Sequence, residues 1–129
     1  MFKKSNFSDK VFKLTTPTTL HITCQLKENI APFIYVENVQ NIDDLSQQYF
    51  NIIDQFREYS GFQGATTCPW NQPVAKLKEN NTKAYDGKFL TLIDDLKGED
   101  VHMELIVKEV WKFTEVCGLT YKVNRIDRI

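Results

Sequence analysis

Apolar and polar residues alternate singly along most of this chain, and the period changes only once. Val101, Met103, Leu105 and Val107 share one face of an extended segment, with His102, Glu104 and Lys108 on the other. The run continues through Val110, Trp111, Lys112 and Phe113 to a turn expected at Glu115-Val116-Cys117-Gly118. A second alternating strand follows, with Leu119, Tyr121 and Val123 against Thr120, Lys122 and Asn124. Earlier, Leu20, Ile22, Cys24 and Leu26 alternate with Thr19, His21, Thr23 and Gln25; a turn at Lys27-Glu28-Asn29 and a return strand over Phe33 to Val39 complete a hairpin. Val11, Phe12 and Leu14 begin a further apolar stretch, broken at Thr16-Pro17-Thr18 by a turn or an edge bulge, because proline offers no N–H to a central ladder.

The period lengthens between Asn41 and Tyr59, where Ile42, Leu45, Tyr49, Ile52, Ile53 and Phe56 recur every three or four residues and predict one amphipathic helix over about 42–59. Asn41 is placed to cap its start, Asp43 and Asp44 to meet the N-terminal dipole, and Gly61 to end it. Residues 60–88, punctuated by Gly61, Gly64, Pro69, Pro73 and Gly87, read as the least regular part, with Asn80-Asn81-Thr82 a polar loop. A short strand is expected at Lys88 to Ile93, and Asp94 to Glu99 turns into the final hairpin.

About five strands and one helix predict a mostly β (α+β) domain. One form is a small five-stranded barrel of the oligonucleotide-binding type; the other is a curled or flat antiparallel sheet with the helix across one face. Periodicity fits both. The 129 residues read as a single domain, with residues 1–10 an extended arm whose order depends on docking Phe2 and Phe7.

A net charge of −1 gives no general attraction to phosphate, so a basic footprint must be local. Cys24, Cys68 and Cys117 cannot all pair and lack metal-knuckle spacing, so they are expected as reduced thiols in a cytosolic or nuclear setting, and the protein as intracellular, in the cytoplasm or the interior of a host cell. No apolar run reaches the length of a signal or a membrane span, and no membrane partner is expected.

The candidate chemistry is aromatic and basic. Trp70, Tyr85, Phe89, Trp111 and Tyr121 could stack nucleobases if they face outward, while Lys76, Lys78, Lys83, Lys88, Lys108, Lys112 and Lys122 neutralise phosphates. The competing expectation is that these aromatics are core. Lys108 and Lys112 share parity with each other and with His102 and Glu104, and they are expected to point away from Val101 and Met103 only if Trp111 lies near a bulge. No catalytic constellation emerges: His21 and His102 lack a nucleophile at a suitable spacing, the acidic pairs Asp43-Asp44, Asp94-Asp95 and Glu99-Asp100 suit caps and turns, and no cofactor motif is present.

Several segments carry a resemblance: Cys68-Pro69-Trp70-Asn71-Gln72-Pro73, Tyr85-Asp86-Gly87-Lys88-Phe89-Leu90, Lys97-Gly98-Glu99-Asp100-Val101 through Leu105, Trp111-Lys112-Phe113, Gly118-Leu119-Thr120-Tyr121, and Val123-Asn124-Arg125-Ile126. Over residues 68–129 their order resembles the C-terminal half of single-stranded DNA-binding proteins of bacteriophages and large DNA viruses. The resemblance implies a non-enzymatic module without a cofactor, coating single-stranded DNA with low sequence specificity in replication or recombination. A protein partner or homo-oligomerisation would accompany that role. The alternative is a small phage- or virus-encoded inhibitor or adaptor that binds a host protein through a sheet edge or helix face.

Overall fold

Five of the chain's strands hydrogen-bond in a ring, which decides between the barrel and the flat sheet. The computed structural model describes residues 2–5 and 8–129. Among these the elements are β1 (Phe2–Ser5), β2 (Ser8–Ile30), β3 (Phe33–Glu37), α1 (Ile42–Ser60), β4 (Ala65–Thr66), β5 (Val74–Asp86), β6 (Phe89–Thr91), β7 (Asp100–Phe113) and β8 (Val116–Arg128), with short 3-10 turns at Pro69–Asn71 and Ile93–Leu96. β2 pairs with β3 on one side and β7 on the other, β7 with β8, and β3 with β5, all antiparallel. A parallel pairing of β5 with β8 closes the ring. β1, β4 and β6 hang on its flanks beside β2, β8 and β5.

The barrel is filled by the alternating apolar faces that the sequence displays. Ile22, Cys24, Leu26, Ile34, Val36, Leu77, Val101, Met103, Leu105, Val107, Val123 and Ile126 are all buried. α1 turns Leu45, Tyr49, Ile53 and Phe56 onto the core. Phe56 meets Phe2 and Phe12 at ring centroid separations of 5.6 and 5.0 Å, so Phe2 docks β1 against the helix; Phe7 lies outside the described residues.

Several boundaries differ from the sequence expectation, each for a local reason. β2 continues through Lys27-Glu28-Asn29 to Ile30, absorbing the polar triplet in a register shift between Leu26 and Glu28, and the chain turns instead at Ala31-Pro32 through a cis peptide. Asn41 adopts a left-handed conformation (φ 57°) and makes no side-chain cap; its carbonyl accepts the Leu45 N–H. Gly61, at φ 75°, ends the helix as expected, its N–H donating to the Arg57 carbonyl. The last hairpin turns at Thr114-Glu115, with Thr114 at φ 53°, so Val116 to Gly118 belong to a strand.

The largest difference is β5, a strand of 13 residues inside the segment read as irregular. Asn80-Asn81-Thr82 is a bulge in this strand, with Asn81 at φ 49° and the β5–β8 register shifting between Glu79 and Lys83. Side chains bridge the gap it opens: Asn80 Nδ2 donates to Asn124 Oδ1 at 2.7 Å, and the Thr82 hydroxyl donates to the Val123 carbonyl at 2.6 Å. The expected irregularity at Thr16-Pro17-Thr18 is present as a register shift between Lys13 and Thr18, and the β7–β8 register shifts between Val107 and Val110, which puts a bulge near Trp111.

Candidate nucleic-acid interface

β5 and β8 pair only from Lys78 and Lys122 onward, which leaves an opening between their leading ends. The segment after β4 occupies it. Thr66 joins the β8 edge through backbone pairing opposite Cys117, and its hydroxyl donates to the Cys117 carbonyl at 2.8 Å. Tyr49 of α1 anchors the same segment from below: its hydroxyl donates to the Thr67 carbonyl and lies 2.7 Å from the Thr66 hydroxyl. The next turn sends Trp70 inward, edge-on to Tyr121 at a centroid separation of 4.9 Å.

Above this plug lies a groove of about 550 Å³, lined by Phe33, Thr67, Cys68, Pro69, Gln72, Lys76, Leu77, Lys78, Trp111, Leu119, Thr120 and Tyr121. That volume falls within the range of small-molecule sites. Among the described residues no carboxylate lines it. Strand register explains the convergence of its working groups: Phe33 stands opposite Lys78, and Lys78 opposite Lys122, across three neighbouring strands. Buried Ala75 and Leu77 force Lys76 and Lys78 to the outside of the barrel. Lys76 Nζ sits 3.8 Å from the centroid of the Phe33 ring, a cation over an aromatic face. Trp111 reaches the groove because the β7 bulge puts it on the outer face, opposite Gly118.

The sequence-derived candidates therefore divide. Lys76, Lys78 and Trp111 converge on the groove, and Lys122 is the cross-strand neighbour of Lys78. Two candidates must be withdrawn as stacking groups: Trp70 and Tyr121 keep only 2% and 3% of their surface, because they fill the gap between β5 and β8 and form the floor under the groove. Burial pushes the Tyr121 phenol pKa well up and that of Tyr49 to about 12, so both floor and anchor stay neutral.

Further along β5, Tyr85 forms a second platform, with the Arg125 guanidinium 4.2 Å from its ring and Lys83 opposite Arg125 in register. Arg125 is itself bound by Asp127 at 2.8 Å, which offsets its charge. Lys88 sits in the tight turn after β5, and Phe89 beyond it is 79% exposed. Lys108 is exposed beside the β7 bulge. Lys112 points elsewhere, its Nζ 5.7 Å from the Phe62 ring near the end of α1.

Phe33 is the functional candidate that sequence reading missed. It looked like one more apolar strand residue, and only the β3–β5 register places it beside the lysines. Four carboxylates outside the groove lining are ion-paired: Glu37 with Lys27, Glu28 with Lys97, and Asp86 and Glu99 with Arg128. Thus a near-neutral protein carries a locally positive groove.

Among the described residues, no group of three His, Cys, Asp or Glu side chains is arranged to hold a metal ion, and no helix is long and apolar enough to cross a membrane. Comparison with family models, curated proteins and solved structures finds no match for this chain.

Proposed function

We propose that this protein is a non-enzymatic binder of single-stranded DNA, holding the strand in the groove between β5 and β8. The observation that carries this reading is the meeting of two aromatic side chains, Phe33 and Trp111, with Lys76 and Lys78 in one groove on a small closed barrel, lined by no carboxylate among the described residues. Aromatic faces accept any base and lysines accept any phosphate, so the predicted binding has little sequence preference. The five-stranded barrel is also an architecture that presents single strands across its outer surface. Lys122, Lys83 and the Tyr85–Arg125 pair continue the track along β5 and β8. The role that follows is coverage of exposed strands during replication or recombination.

The direct test is fluorescence anisotropy with a labelled oligo-dT of about 30 nucleotides, several site sizes long for a barrel of this kind, at two salt concentrations. Affinity should fall as salt rises, and tryptophan emission should be quenched on binding. Absence of binding at low salt would overturn the assignment.

A further inference from the structure

We propose that β6 is a self-association edge, through which two copies of this chain join their sheets antiparallel about a two-fold axis at Thr91. Among the described residues β6 pairs only with β5, leaving its other edge open. Phe89, Leu90 and Leu92 are 79%, 67% and 71% exposed, three of the chain's large exposed apolar residues within four positions. An open edge with exposed apolar side chains is a template for strand addition.

The pattern of pairing selects the register. A two-residue turn at Gly87-Lys88 joins β5 and β6, so Asp86 and Phe89 form the closing hydrogen-bonded pair and Tyr85 with Leu90 the next, non-bonded one. The backbone N–H and carbonyl of Leu90 therefore face the open edge. Leu92, still extended at φ −77° and ψ 146°, follows with the same parity. Pairing Leu90 with Leu92 of a second copy lets each Leu92 N–H donate to a Leu90 carbonyl, twice by symmetry.

That register is also complementary in charge. It brings Lys88 of one copy to the start of the 3-10 turn of the other, where Asp94 lies, and again twice by symmetry. Neither side chain has an ion-pair partner among the described residues. Leu90 and Leu92 share the face of Tyr85, so the joined sheet would present both Tyr85 platforms on one surface, three strand spacings or about 14 Å apart. The pairing needs no nucleic acid, so it stands or falls separately from the DNA-binding reading.

The test is sedimentation equilibrium of the full chain without DNA, over an about hundredfold concentration range, with three variants. The parent should dimerise reversibly. Lys88→Asp alone and Asp94→Lys alone should each weaken self-association, by about tenfold for two reversed exposed pairs. A mixture of the two variants should restore dimers, because each then supplies the charge the other lacks. Circular dichroism confirms that both variants are folded. A parent that is monomeric throughout, or a dimer indifferent to both reversals and to Leu90→Glu, would overturn the proposal; the first outcome would leave the edge to a different protein.

Discussion

Trp111 lies over Gly118, its partner across the β7–β8 ladder, and a β-carbon at position 118 would come within 2.5 Å of Trp111 Cζ2. The ring thus covers a glycine on the sheet surface, and the glycine sets the height at which the indole stands. Gly118→Val should lift or rotate the ring out of the groove. DNA affinity should drop toward that of Trp111→Ala, about 5- to 150-fold for the loss of one stacking partner, while far-UV circular dichroism is retained. Titration of both variants against the same oligo-dT checks this, and full affinity in Gly118→Val would show that the indole position is irrelevant.

Lys76 and Lys78 are expected to act through charge. Replacing both by Gln removes two phosphate contacts, which for a single strand should reduce the slope of log K against log salt by about 1.4. Lys76→Gln also removes the cation above Phe33, so its single-site loss should exceed that of Lys78→Gln. Lys112→Gln serves as the contrast, since Lys112 lies toward Phe62 and its removal should leave the slope unchanged. Binding isotherms at four or five salt concentrations give all three slopes.

The legible and illegible parts of this fold follow from the range of the interactions that fix them. The helix, the final hairpin and the Leu20 to Leu26 strand carry strong local periodicity, and each is present, with only its turns or ends displaced from the expected positions. β5 carries little: Lys76, Lys78, Glu79, Asn80, Asn81 and Lys83 crowd its sequence, and its place is fixed by partners far away in the chain, β3 and β8. The same applies to the site. Lysine and tryptophan candidates could be picked by type, but burial of Trp70 and Tyr121 depends on a gap between β5 and β8 that no local pattern reveals. Phe33 joins the groove through register alone.

Alkaline pH should weaken the fold through its buried phenols. Burial raises the Tyr49 pKa from an ordinary 10.0 to about 12 and raises that of Tyr121 as well. Between these limits the unfolded chain releases phenolic protons that the native state keeps, so the stabilising contribution is complete below about pH 10 and is lost as pH climbs toward 12. Each phenol contributes a slope of up to about 1.4 kcal/mol per pH unit. Tyr121→Phe should flatten the fall in urea midpoint between pH 9 and 11.5 relative to the parent, in a range set by the same titrations. Tyr49→Phe should flatten it too, and should also lower the midpoint at neutral pH by severing the link to Thr67.

The two tryptophans should report separate properties, which makes the plug and the groove separable in one experiment. Trp70 fills the space between β5 and β8, 2% exposed and edge-on to Tyr121, so Trp70→Ala should destabilise the domain by about 3–5 kcal/mol. Trp70→Phe keeps most of the volume and should cost less, leaving a folded protein whose emission comes from Trp111 alone. DNA should quench that remaining emission. In Trp111→Phe, where only the buried indole emits, DNA should leave the intensity nearly unchanged while weaker binding persists by anisotropy. Quenching that instead follows Trp70 would require the 69–71 turn to leave the barrel when DNA binds, and would place the strand between β5 and β8 in the gap the indole had filled.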